Sequence, residues 1–219
     1  MKIGVLALQG DFDAHRRRLE ELGAEVVLVR KPEQLDQIEG LVIPGGESGT
    51  FLKLLGEQGF AKLREFVHAK PTFGTCAGAI LLATEIENPT QAGLGALDIR
   101  IRRNGYGRQI DSSIREGKLL AGNSGVNGNA VNAKAADGGA NRKDKDGSSV
   151  DASPLEMVFI RAPKIVGVGP GVEILATEGD DTVAVQQGRV MAATFHPELS
   201  DDLRVHQAFL DLVQENLTK

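Results

Sequence analysis

The only cysteine of the 219-residue chain, Cys76, lies within Gly74-Thr75-Cys76-Ala77-Gly78, directly after an apolar run typical of a strand. Small residues two positions before and after a nucleophile are what a sharp strand-to-helix turn requires. Such a turn exposes the sulfur at the carboxyl end of the strand and directs the first amides of the next helix toward the attacked atom, which favours a thiolate and an oxyanion. A lone cysteine is also common as a small buried apolar residue, so the motif needs partners elsewhere in the chain.

A candidate base lies far downstream, in His196-Pro197-Glu198, which follows the apolar run Val190–Phe195. Because Pro197 has a fixed φ and cannot continue a ladder, the chain must turn there. A cysteine nucleophile needs a base, and the base needs a third group that orients its ring. A solvated loop is the alternative for such a tripeptide, but its position after a strand favours a catalytic pair.

A third segment, Pro44-Gly45-Gly46-Glu47-Ser48, follows the buried run Gly40–Ile43. Two glycines allow unusual dihedrals and a close approach of the backbone to a ligand. A backbone amide here could complete an oxyanion hole with the amide of Ala77. The pattern lacks the lysine and spacing of a phosphate-binding loop, and a plain turn remains the alternative.

Apolar runs alternate with segments of helical spacing in the first half of the chain, whereas the second half is mostly β. This alternation predicts an α/β fold whose parallel sheet is covered on both faces and binds ligands beyond the carboxyl ends of its strands. The predicted helices are Asp13–Leu22, Phe51–Leu55, Phe60–Ala69, Ala77–Thr84 and Asp201–Leu217. The predicted strands are Ile3–Leu8, Glu25–Val29, Gly40–Ile43, Thr72–Gly74, Asp98–Arg102, Met157–Ile160, Val172–Ala176, Val183–Gln187 and Val190–Phe195.

Composition limits the possible classes of protein. With 41% apolar residues, 219 residues can bury one core, so we expect a single domain over residues 1–219. A single cysteine and no signal-like or membrane-spanning run favour a reducing, cytoplasmic location. A net charge of −5 with 4% aromatic residues argues against a nucleic acid partner. The lack of an apolar run of about 20 residues argues against a membrane partner.

One stretch departs from the pattern, at about residues 117–153, where Gly, Asn, Ala, Ser, Asp and Lys dominate. Such a composition cannot bury enough apolar surface to offset its ordering entropy, so we expect a flexible insertion, with a short β-hairpin as the alternative. Asp144-Lys145-Asp146-Gly147 resembles the start of a calcium loop, but the twelfth position is Leu155 where a glutamate is required. We therefore expect no metal and no cofactor.

The motifs P-G-G-E-S, G-T-C-A-G and F-H-P-E, in this order, resemble those of the class I (triad) glutamine amidotransferases. Three further segments, Gly4–Gly10, Arg103–Gln109 and Phe159–Pro163, resemble the glutaminase subunits of pyridoxal 5'-phosphate synthase. The resemblance covers residues 1 to about 112 and about 154 to the end. It implies a flavodoxin-like three-layer α/β sandwich with a mixed, mostly parallel central sheet.

The resemblance also implies roles for individual residues. Cys76 would be the nucleophile, His196 the base and Glu198 the group that orients the histidine. The oxyanion hole would be built by Gly46 and Ala77. The residues that would bind the glutamine substrate are Gly46, Glu47, Ser48, Arg103, Ile160 and Arg161. One departure is Gly49, where the family often has threonine.

The function implied by the resemblance is hydrolysis of L-glutamine to L-glutamate and ammonia, with the ammonia passed to a synthase subunit that makes pyridoxal 5'-phosphate. Two alternatives remain open at this point. The chain could be the glutaminase subunit of a different amidotransferase, or a non-catalytic interaction protein on the same fold. The segments around Arg103 and Arg161 argue against the first, and the intact Cys, His and Glu set argues against the second.

Overall fold

A nine-stranded mixed sheet forms the centre of the computed structural model, which describes residues 1–105, 112–120, 142–143, 149–150 and 153–218. The strands are β1 (Lys2–Leu6), β2 (Glu25–Val29), β3 (Gly40–Ile43), β4 (Thr72–Thr75), β5 (Ala83–Glu87), β6 (Leu97–Arg102), β7 (Ser113–Leu119), β8 (Arg142–Lys143), β9 (Ser149–Val150), β10 (Leu155–Phe159), β11 (Lys164–Val168), β12 (Glu173–Glu178), β13 (Asp181–Gln187) and β14 (Val190–Ala193). The helices are α1 (Phe12–Glu21), α2 (Ser48–Ala69), α3 (Ala77–Leu82) and α4 (Arg204–Leu217), with 3₁₀ turns at Pro32–Gln37 and Pro197–Leu199.

The strand order of the large sheet is β10-β7-β12-β13-β14-β4-β3-β1-β2. The strands from β14 to β2 in this order run parallel, and the others pair antiparallel. The carboxyl ends of the neighbouring strands β14, β4 and β3 therefore meet at one edge of the sheet. The three segments predicted to carry chemistry follow these strands, so the fold brings them to the same edge, where parallel sheets bind ligands.

Two apolar layers cover the sheet. On one face, α2 and α3 pack with the small sheet β11-β6-β5 against side chains such as Leu41 and Ile43. On the other face, α1 and α4 pack against side chains such as Val42 and Phe73. These layers confirm the predicted three-layer α/β fold with a mixed central sheet. No helix in the described parts of the chain is long and apolar enough to cross a membrane.

Two helix predictions differ from the structure in instructive ways. The predicted helices Phe51–Leu55 and Phe60–Ala69 lie in one element, α2, which is interrupted at Gly56 with φ 62°. The predicted helix Ala77–Thr84 is wrong at its end, because the chain becomes extended at Ala83 (φ −63°, ψ 151°) and enters β5. β5 pairs parallel with β6, with a register shift between Ala83 and Glu85, and the apolar run before Ala83 does not predict this pairing.

The predicted insertion at about residues 117–153 begins too early. Residues 117–119 belong to β7, where Gly117 pairs with Leu155 of β10 and Leu119 pairs with Ala176 of β12. Within the rest of the stretch, β8 and β9 pair antiparallel. Residues 144–148 and 151–152 of the rejected calcium loop lie outside the described residues, and the flexibility of the insertion stays a prediction.

Candidate active site

Cys76 lies at the turn between β4 and α3, with φ 46° and ψ −101°. A positive φ at a residue with a side chain is strained, and such strain is concentrated at functional sites. The small neighbours are required, because a Cβ at Gly74 would lie 2.6 Å from the backbone of Gly78, and one at Gly78 would overlap the carbonyl oxygen of Ile43. The turn is fixed further by the amide of Cys76, which donates to the carbonyl of Ala193 at 2.9 Å.

His196 and Glu198 lie on the turn after β14, as the proline between them predicts. The Nδ1 atom of His196 is 2.7 Å from Oε1 of Glu198, and the two side chains are 5% and 0% exposed. The ring of His196 also lies close to Cys76, since a Cβ at Gly45 would lie 2.5 Å from Cε1 of His196 and 3.4 Å from Cβ of Cys76. The backbone amide of His196 donates to the carbonyl of Val158 at 2.8 Å, so β10 anchors the turn.

The electrostatics of this pair are those of a buried ion pair. Burial alone would lower the pKa of His196, but its interactions with Cys76 and Glu198 raise that pKa to about 10. Burial would raise the pKa of Glu198, but His15 and the hydrogen bond with His196 lower it to about 2. At neutral pH His196 is therefore cationic and Glu198 ionised, so the two side chains form a buried ion pair.

The predicted oxyanion loop adjoins Cys76 and the His196 ring. A Cβ at Gly45 would lie 2.5 Å from Cε1 of His196 and 3.4 Å from Cβ of Cys76. Gly46 has φ 132°, and a Cβ there would lie 2.5 Å from Oε1 of Gln9. No other residue than glycine fits either position without displacing these neighbours.

Glu47 and Arg103, both predicted to bind substrate, form an ion pair with 3.1 Å between Oε1 and Nη2. The carboxylate of Glu47 also caps α2, accepting from the amide of Gly49 at 3.0 Å and from the amide and hydroxyl of Thr50, each at 2.7 Å. The hydroxyl of Thr50, the amides and Arg103 lower the pKa of Glu47 despite its partial burial. A Cβ at Gly49 would lie 3.2 Å from Oε1 of Glu47, so the missing side chain leaves room for this cap.

The remaining predicted pocket residues occupy different surroundings. Ser48 is buried, and its hydroxyl donates to Oε1 of Gln91 at 2.9 Å. Ile160 and Arg161 directly follow β10, and Arg161 is exposed with φ 45°. Within the described parts of the chain, no hydrogen bond or ion pair joins Arg161 to the other predicted site residues. Residues 106–109 of the predicted motif lie outside the described residues.

Sequence reasoning missed the buried polar residues beneath the site. His15 on α1 and His206 on α4 lie behind Glu198, and Gln91 lies beside Ser48. The fold, rather than local spacing, brings them there. One group of potential metal ligands among the described residues, Asp11, His196 and Glu198, has atoms within 4.8 Å of one another. Its two buried members already pair with each other, so Asp11 adds a carboxylate beside that pair.

Comparison with known proteins assigns the family. The model of the SNO glutamine amidotransferase family matches residues 5–215. A pyridoxal 5'-phosphate synthase subunit PdxT of Koribacter versatilis is 58% identical over 98% of this chain and 96% of that protein. A protein of the same name from Solibacter usitatus is 48% identical over 95% of this chain and 97% of that protein. A crystal structure described as a glutamine amidotransferase is 40% identical, with a TM-score of 0.77 over 97% of this chain and 98% of that chain. The chain therefore belongs to the SNO glutamine amidotransferase family.

Proposed function

We propose that this chain is a glutaminase that hydrolyses L-glutamine to L-glutamate and ammonia, with Cys76, His196 and Glu198 as its catalytic triad. The observation that carries the proposal is the placement of Cys76 and the His196–Glu198 hydrogen bond, 2.7 Å long, at the ends of the adjacent strands β4 and β14. Cys76 and the His196 ring both adjoin Gly45. A nucleophile, a base within reach and a group that orients the base are the required parts of this chemistry.

In the first chemical step, the thiolate of Cys76 attacks the side-chain amide carbon of glutamine. The oxyanion that forms would be held by backbone amides, one from Ala77 and one from the loop at Gly46. His196 then gives its proton to the leaving nitrogen, which departs as ammonia. Water, deprotonated by His196, attacks the thioester and releases glutamate.

The substrate pocket would extend from the sulfur toward the surface. The guanidinium of Arg103, whose side chain is 18% exposed, suits the α-carboxylate of glutamine by a charge-assisted contact. Glu47 holds Arg103 in position through their ion pair, and Ser48, Ile160 and Arg161 would complete the pocket. Gly46 would contribute both to the pocket and to the oxyanion hole.

We further propose that the ammonia passes to a pyridoxal 5'-phosphate synthase subunit, because relatives at 58% and 48% identity carry the name of such a subunit. Passing ammonia directly between proteins keeps it from protonation in water. Glutamine hydrolysis by this triad needs no cofactor. The single free cysteine is consistent with a reducing compartment such as the cytoplasm.

The proposal is tested by measuring ammonia release from glutamine with and without the synthase subunit of the same organism. We expect slow hydrolysis by the chain alone and a large increase when the synthase is added, because docking can shift the oxyanion loop toward its active geometry. A chloroketone analogue of glutamine should add its mass once, at Cys76. A full rate without the synthase would contradict the coupling, and no glutamine hydrolysis in either case would contradict the enzyme.

A further inference from the structure

Glu198 directs its two carboxylate oxygens at two different histidines. Oε1 lies 2.7 Å from Nδ1 of His196, whereas Oε2 lies 3.2 Å from Nε2 of His15. The side chains of His15 and Glu198 are both 0% exposed. Oε2 is buried and has no hydrogen-bond partner among the described residues, so its contact with His15 is electrostatic. A buried carboxylate oxygen without a donor is costly, which gives a nearby N–H dipole a large effect.

His15 is held in place by two further buried groups. Its Nδ1 lies 3.0 Å from Nε2 of His206, and its Nε2 lies 3.0 Å from the hydroxyl oxygen of Thr75. Thr75 is the residue before Cys76, so His15 connects the turn that carries the nucleophile to the turn that carries Glu198. The ring of Phe73 packs edge-on against both histidines, at 6.4 Å and 6.2 Å between centroids.

The positions of the protons follow from the contacts. Nδ1 of His206 is buried and has no hydrogen-bond partner among the described residues. Because a buried N–H without an acceptor is rarer than an unpaired lone pair, His206 carries its proton on Nε2 and donates it to Nδ1 of His15. His15 then carries its own proton on Nε2. The opposite form would turn a lone pair of Nε2 toward the carboxylate oxygen of Glu198.

We propose that His15 and His206 form a buried hydrogen-bonded pair that holds the Nε2–H of His15 beside Oε2 of Glu198, where its dipole stabilises the carboxylate, which makes His15 a positioning residue for the glutaminase reaction. This inference rests on the proposed triad. Nε2 of His15 makes its hydrogen bond with the hydroxyl of Thr75, and its contact with Oε2 of Glu198 at 3.2 Å is electrostatic. When His196 gives its proton to the leaving nitrogen, Glu198 loses its cationic partner, and the N–H of His15 compensates the charge that remains.

The charged and titratable groups around Glu198 come from every element packed against it. His15 and Arg18 face it from α1, with Nε of Arg18 donating to the backbone carbonyl of Glu198 at 3.4 Å. His206 faces it from α4, and the carboxylate of Asp11 lies nearby at the start of α1. His196 and, through it, Cys76 complete the set. Burial lowers the pKa of both His15 and His206, so both rings are neutral at physiological pH.

Matched substitutions separate positioning from packing. The side-chain nitrogen of glutamine reaches the place of a histidine Nε2, whereas that of asparagine reaches only the place of Nδ1. His15→Asn should lower kcat by about 10–100-fold, the loss expected when a donor beside a buried charged group is removed, with little change in KM. It should also move the acidic limb of the kcat profile upward by about one pH unit, because Glu198 becomes easier to protonate. His15→Gln should restore most of kcat.

The assay uses the chain together with its synthase, and folding of each variant is checked by thermal unfolding. Equal kcat values and equal pH profiles for His15→Asn and His15→Gln would overturn the proposal. If neither variant folds, nitrogen-15 spectra of the wild-type histidines decide, with the Nε2–H form expected for His15 and His206. An Nδ1–H form of His15 would overturn the proposal. A wild type that shows no hydrolysis dependent on Cys76 would instead refute the proposed function. The nitrogen-15 spectra would still test the buried histidine pair in that case.

Discussion

Gln9 holds the backbone of Glu47 from both ends of its side-chain amide. Oε1 of Gln9 accepts from the amide of Glu47 at 3.1 Å, and Nε2 of Gln9 donates to the carbonyl of Glu47 at 3.2 Å. Because Gln9 follows β1 and Glu47 follows β3, two adjacent parallel strands are joined at the edge that carries Cys76. The orientation of the Gly46–Glu47 peptide therefore depends on a side chain at the surface, where a docking protein can reach it.

Removing the two hydrogen bonds between the side chain of Gln9 and the backbone of Glu47 should impair the oxyanion loop. Gln9→Ala loses two neutral hydrogen bonds, each worth about 1 kcal/mol, so we expect a fall in kcat of about tenfold or more in the presence of the synthase. Gln9→Glu is the matched control, because it keeps an acceptor for the amide of Glu47 but cannot donate to its carbonyl, and it should also lose activity. Wild-type kcat in both variants would show that these two hydrogen bonds do not determine the conformation of the oxyanion loop.

The proposed base and its orienting group should differ in severity. His196→Asn should lower kcat by at least about 10⁴-fold, because it removes both proton-transfer steps. Glu198→Gln should be less severe, since the carboxylate orients and stabilises the imidazolium without taking its proton. Single-turnover release of ammonia by the folded variants provides the measurement. A Glu198→Gln variant as active as the wild type would remove Glu198 from the triad.

The turn at Cys76 should not tolerate a side chain at Gly78. A Cβ there overlaps the carbonyl oxygen of Ile43, which is backbone and cannot move aside without disturbing β3. We expect Gly78→Ala to lower the free energy of unfolding by about 1–3 kcal/mol. The control is Gly59→Ala in α2, where the nearest atom to a new Cβ is 3.5 Å away and a gain of about 0.5–1 kcal/mol is expected. Denaturant unfolding of the two variants with the same sign of change would contradict this account.

The buried histidines should make stability depend on pH. The pKa of His206 falls from 6.5 to about 3 on folding through burial, so the unfolded chain binds an extra proton between these values. With respect to His206, stability is therefore highest above pH 6.5 and falls on acidification by about 1.4 kcal/mol per pH unit. Glu198 adds to this loss below its ordinary value of 4.5. Unfolding of His206→Phe should show a shallower slope between pH 6 and pH 4, and an unchanged slope would contradict the burial argument.

Above pH 6.5 His196 makes stability depend on pH in the opposite direction. Its pKa rises to about 10 in the folded chain, so the stabilisation from its ion pair is complete below 6.5 and is lost as the pH rises toward 10.

The proposed triad could be predicted from the sequence because each member lies at a local structural signal. Cys76 is flanked by the glycines that its turn needs, and Pro197 marks the turn that carries His196 and Glu198. The order of the motifs and the strands before them place all three at one edge of a parallel sheet. The structure brings them together as predicted and adds the hydrogen bond between His196 and Glu198.

His15 and His206 could not be predicted, because 191 residues separate them and neither lies in a motif. Each occupies an apolar face of a helix, where a histidine has the same spacing as a core residue. Their meeting depends on the packing of α1 and α4 against β4. The end of α3 before Ala83 could not be predicted either, because a continuous apolar run is typical of a buried helix and of a buried strand alike.

The measurement that tests the central claim most directly is ammonia release from L-glutamine by the wild type and by Cys76→Ala, each with the synthase subunit present. Alanine keeps the backbone of the turn and removes only the sulfur, so the variant should unfold at a temperature close to that of the wild type. The account predicts hydrolysis by the wild type and none above background by the folded variant. Hydrolysis by folded Cys76→Ala at the wild-type rate would contradict it.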